Sequence, residues 1–110
     1  MKNEKLEEVE KRMREGVMTP HEMADMRIYL AGEYSYLSGQ LERILFSKPE
    51  KWMTLREGTK SDTSAERAWD ATEDGKQEMS IRLTLKRIEK MLSAANSALR
   101  IAEQEARNVI

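Results

Sequence analysis

Asp62, Glu66, Asp70 and Glu73 recur every three or four residues, a spacing that lines one face of a helix. Paired carboxylates on facing helices can hold Mg²⁺, as in all-helical nucleotide pyrophosphohydrolases. Such a site needs a second acidic pair opposite the first, and the other long helical segment offers only Glu22 and Asp25. In a hairpin whose ends are level near residues 47 and 62, Glu22 lies beside residues near 87, far from Asp70. The expectation is therefore a solvated acidic face whose first members suit the positive end of a helix, with no metal and no cofactor.

His21 is the single histidine and falls in the first turn of a helix, between Pro20 and Glu22, where a surface position is expected. The chain has no cysteine, which excludes disulfides, thiolate metal sites and cysteine nucleophiles. Phosphate-cradling glycine loops of the usual spacing are also missing from the sequence. No set of residues is arranged for catalysis, and the chain is read as a non-enzyme.

Arg43, Lys48, Lys51, Arg56, Lys60 and Arg67 surround Trp52 and Trp69 in the middle of the sequence. Cations of this kind neutralise phosphates, and an exposed indole stacks on an unpaired base. These positions, Trp52 included, are the candidate partner or nucleic-acid contact, with single-stranded DNA left open as a ligand. Glu42, Glu50, Glu57 and Glu66 are interleaved among them, so the tryptophans are also read as plugs at the end of a bundle.

Helices must position all of these groups. Leu6, Val9 and Met13 put a thin apolar stripe on a first short helix that Gly16 ends. Thr19-Pro20-His21-Glu22 is a strong helix start, with a capping threonine, proline in the first turn and glutamate three residues after the cap. From there Met23, Met26, Leu30, Tyr34, Leu37, Leu41, Ile44 and Leu45 share a core face as far as Ser47. Nearly opposite lie Gly32, Ser35 and Gly39, a row suited either to internal packing or to close approach of a partner helix, with Tyr29 and Tyr36 on one shoulder. Pro49 is expected to stop this helix. Residues 48–60 are then a connection in which Trp52, Met53 and Leu55 form a short packed turn.

The last helix is predicted over 61–108. Its later part carries Ile81, Leu85, Ile88, Leu92, Ala95, Leu99, Ala102, Ala106 and Val109 in a 4-3 spacing, widened by Thr84, Met91 and Ala98. Before residue 80 the stripe of Ala65, Ala68, Trp69, Thr72, Met79 and Leu83 lies roughly 135° around the helix, against the ~20° per heptad of ordinary drift. That jump predicts a bend near Gly75 or two halves with different partners. The fold class is all-α. It is a single domain: a short N-terminal helix at 1–16, a long antiparallel hairpin of 19–47 and 61–108, and the connection at 48–60.

Composition agrees, with 35% charged residues, 5% aromatics and two prolines in 110 residues, the material of long helices and coiled coils. A net charge of −1 gives neither the basic excess of a duplex binder nor the acidic excess of a DNA mimic. No apolar run approaches a membrane span and residues 1–16 are too charged for a signal peptide. A cytoplasmic protein with no membrane contact is expected.

Lys60-Ser61-Asp62, Ala65-Glu66-Arg67-Ala68-Trp69-Asp70-Ala71-Thr72 and Gly75 resemble small helical proteins encoded in phage and prophage early regions, near recombination and replication genes. The resemblance covers about half the chain, includes no catalytic motif, and carries over no catalytic residue. It implies an accessory protein of DNA recombination, replication or single-strand handling that works through protein contacts. The alternative is a phage inhibitor of a host defence nuclease, anti-CRISPR-like in its use of a rigid bundle. In either case the later stripe of Leu92, Ala95, Leu99, Ala102, Ala106 and Val109 outruns a helix ending at Ser47, and self-association, with a dimer favoured, is expected through it.

Overall fold

The computed structural model describes residues 3–16 and 18–108, and among them every regular element is a helix. Four follow in order: α1 (Glu4–Glu15), α2 (Pro20–Glu57), α3 (Asp62–Ala71) and α4 (Glu73–Asn108). The all-α class read from the sequence is the class observed.

The starts are the ones the polar residues dictate. Asn3 caps α1 by accepting from the Leu6 amide at 3.1 Å, and Thr19 accepts from the Glu22 amide at 3.1 Å. Ser61 does the same for Ser64 at the head of α3. Each satisfies a donor that has no partner within its helix. α1 ends where expected, on Gly16 with φ 72°, the left-handed conformation that glycine adopts without a Cβ penalty.

Two boundaries differ from the sequence reading. α2 does not stop at Ser47 but runs through Pro49 to Glu57, so the connection shrinks to residues 58–61. A proline in a helix interior removes one hydrogen bond and costs ~3 kcal/mol. Pro49 itself is exposed. The turn beyond it is held by Trp52 and Leu55, both half-buried, and by cross-helix ion pairs of Lys48 and Lys51.

The second difference is the break in the last helical stretch, which falls at Thr72 and not at Gly75. The Thr72 amide and hydroxyl both donate to the Trp69 carbonyl, at 2.9 and 2.6 Å, closing α3. The same hydroxyl oxygen accepts from the Gly75 amide at 3.0 Å, opening α4. Gly75 is needed for a different reason from a bend: a Cβ there would sit 1.9 Å from the Trp69 carbonyl oxygen. The jump in the apolar stripe is therefore two helices meeting at a double cap.

The chain divides into two units. In the first, residues 36–85, the later part of α2 runs antiparallel to the start of α4, with Lys48 opposite Glu78 and Lys51 opposite Asp74, and α3 completes the packing. Leu37, Ile44, Ala65, Trp69, Ile81 and Leu85 are its buried apolar side chains. In the second, residues 3–35 with 86–108, α1 joins the first part of α2 and the last part of α4. Leu6, Val9, Leu30, Ile88, Met91 and Ala95 are buried there. Arg87 of α4 donates to Glu10 of α1 at 2.8 Å, and the Tyr34 hydroxyl of α2 donates to Glu89 at 2.8 Å.

Candidate interaction surface

Half of the cations around Trp52 and Trp69 are held in ion pairs. Glu78 accepts from Lys48 at 2.8 Å, from Arg82 at 3.1 Å and from the Trp69 indole N–H at 3.2 Å. Burial works to raise the Glu78 carboxyl. The bonds from Lys48 and Arg82, the charge of Lys48 and the indole bond outweigh it and hold the group below the ordinary carboxylate value. The Lys48 ammonium also lies 5.2 Å over the Trp69 ring, a cation–π contact. Trp69 is only 3% exposed; it plugs this unit, as one of the two sequence readings held.

Of the other cations, Lys51 pairs with Asp74, and Arg56 pairs with Asp62 at 2.7 Å while donating to the Thr59 carbonyl at 3.0 Å. Trp52 is half-buried on α2. Arg43, Lys60 and Arg67 are exposed and make no ion pair among the described residues. Three of the six cations named from the sequence are thus matched by acids of the same unit.

The acidic face is dispersed: Asp62 serves Arg56, and Glu66, Asp70 and Glu73 are exposed. Glu22 pairs with Arg12 and Asp25 lies 3.5 Å from His21, whose side chain is 88% exposed. Among the described residues no three potential ligands gather around one point.

Along the later stripe, Ala95 is buried inside its own unit, Leu92, Leu99 and Ala102 are half-buried, and Ala106 is exposed. Val109 lies outside the described residues. The stripe does not outrun α2 from about residue 90, as a hairpin level at 47 and 62 would have it, but only near its end. Tyr34 faces Glu89 and Arg27 faces Asn96, a register that places the start of α2 level with about residue 103.

Gly32, Ser35 and Gly39 are all exposed, and a Cβ built on either glycine meets nothing within 4 Å. Internal packing does not explain the row. Large apolar side chains are exposed with it. Phe46 is 89% exposed on α2, with Tyr36 and Met53 also more than half exposed, and Met79 and Leu83 are exposed one turn apart on α4. Met53, expected in a packed turn, and Met79 and Leu83, expected on the packed stripe before residue 80, thus face solvent, and Phe46 is an exposed apolar residue outside the stripes traced in the sequence. The signal was available: the sole phenylalanine sits on the side of α2 opposite Leu37 and Ile44.

No known family model, curated protein or solved structure matches this chain. No helix among the described residues is long and apolar enough to cross a membrane.

Proposed function

We propose that this chain is a non-enzymatic helical interaction protein of phage type, accessory to DNA recombination, replication or single-strand handling, and that it acts by presenting helix faces to a protein partner. The observation that supports this is the apolar surface on α4, where Met79 and Leu83, one turn apart, are each more than half exposed. Single exposed apolar side chains are ordinary on protein surfaces, but neighbours one turn apart on a helix form a patch suited to a protein interface. The phage assignment rests on the sequence resemblance around Ala65–Thr72.

The test is affinity capture from the native host with the wild type and with the doubly substituted Met79→Asp, Leu83→Asp protein as baits. Recovery of a recombination or replication protein by the wild type, lost with the variant, supports the reading. Recovery of a defence nuclease in its place, or capture indifferent to the substitutions, overturns it.

A further inference from the structure

The outer face of α2 carries a pattern that complements itself. At 100° per residue Gly39, Arg43, Phe46, Glu50 and Met53 fall within about 80° of arc, on the side of the helix opposite buried Leu37 and Ile44. All five are exposed, and Phe46 at 89% is the most exposed large apolar side chain described. Neither Arg43 nor Glu50 makes an ion pair among the described residues.

We propose that this face binds a second copy of the chain, with the two α2 helices antiparallel and a two-fold axis passing beside Phe46. In a symmetric pair each patch meets itself, so the position n residues after 46 faces the one n residues before it on the partner. Phe46 then meets the partner's Phe46 on the axis. Seven residues out, Met53 comes over the partner's Gly39, where a Cβ finds open space and a flexible thioether can settle against backbone. Arg43 and Glu50 lie on the same flank of the stripe. Their offsets of three residues before and four after the axis bring each within about one residue's rise, ~1.5 Å along the axis, of its opposite charge on the partner. The symmetry forms this pair twice.

A partner of different sequence would give no reason for large, small and charged residues to be arranged about their own midpoint. A second copy does. Tyr36 and the shallow depression lined by Ser38, Leu41, Glu42 and Leu45 flank the stripe and add area to the contact. One helix face is nonetheless a small interface, in the class below about 1,200 Å² that gives weak, reversible association. The proposal concerns α2 alone and holds whatever protein is captured through α4.

Sedimentation equilibrium across the micromolar range tests it on the full chain. The mass should rise from 12.8 kDa towards twice that with concentration. Phe46→Asp should weaken association at least about thirtyfold, as for a central hot spot. Its circular dichroism should stay unchanged, because the side chain is not part of the core. R43E and E50R should each be monomeric alone and should associate when mixed, since only the mixture restores both ion pairs. A monomer at every concentration, a dimer indifferent to Phe46→Asp, or no recovery on mixing overturns the proposal.

Discussion

Glycines in this chain show how much a single position depends on its neighbours. Gly75 and Gly32 both sit in helices, yet a Cβ at Gly75 would lie 1.9 Å from the Trp69 carbonyl oxygen while one at Gly32 would meet nothing within 4 Å. Backbone cannot yield as a flexible side chain would, so Gly75→Ala should lower stability by roughly 1–3 kcal/mol. Gly32→Ala should raise it by about 0.5–1 kcal/mol by removing backbone entropy from the unfolded chain. Urea titration of the two variants checks both signs, and a Gly75→Ala protein as stable as the wild type would contradict the geometry. Glu78 gives a second test at this scale. Its carboxyl is held below the ordinary value, so the unfolded chain binds a proton there more readily. Its contribution is fully present above the ordinary carboxylate value of 4.5 and is lost as pH falls through the lower folded value. The urea midpoint should therefore drop with acid more steeply in the wild type than in Glu78→Gln; equal slopes would remove Glu78 from the account.

At the scale of elements, local signals were legible and tertiary ones were not. Thr19-Pro20 and Gly16 mark boundaries through hydrogen bonds that close within a few residues, and the structure has both where the sequence puts them. The jump in the apolar stripe was also readable, although its cause, one threonine capping two helices, lay three residues from the glycine that drew attention. The local cost of Pro49 is offset by tertiary contacts: half-buried Trp52 and Leu55 beyond it, and, with a smaller share, the pairs of Lys51 with Asp74 and Lys48 with Glu78, 23 and 30 residues apart. Nothing in the spacing of the sequence announces those pairs. The helix already exists around Pro49, and proline is a burden it carries. Pro49→Ala should then leave the far-UV spectrum nearly unchanged and raise stability by roughly 1–3 kcal/mol. A large gain in helix signal would show instead that the wild-type helix ends at residue 47.

For the whole molecule, counting charges and pairing them lead to different expectations for nucleic acid. The sequence offers six cations around two tryptophans, which reads as a phosphate-binding tip. Three-dimensional pairing withdraws Lys48, Lys51 and Arg56 by matching them with Glu78, Asp74 and Asp62. It also withdraws one indole, since Trp69 is buried with its N–H on Glu78. Arg43, Lys60 and Arg67 remain, on a chain whose net charge is −1. Each phosphate neutralised contributes about −0.9 to the slope of log K against log salt on duplex DNA, so three cations give a slope no steeper than about −3. Breaking an existing ion pair to free a fourth would offset most of what the new phosphate contact contributes, because the acid left behind repels the same backbone. Duplex binding by this protein should therefore be weak, shallow in its salt dependence, and lost in the triple variant Arg43→Ala, Lys60→Ala, Arg67→Ala. Fluorescence anisotropy of a labelled duplex, titrated at several salt concentrations, measures affinity and slope together. A slope of about −5 or steeper would mean that Lys48, Lys51 and Arg56 leave their carboxylates on binding, and that the tip opens to meet DNA.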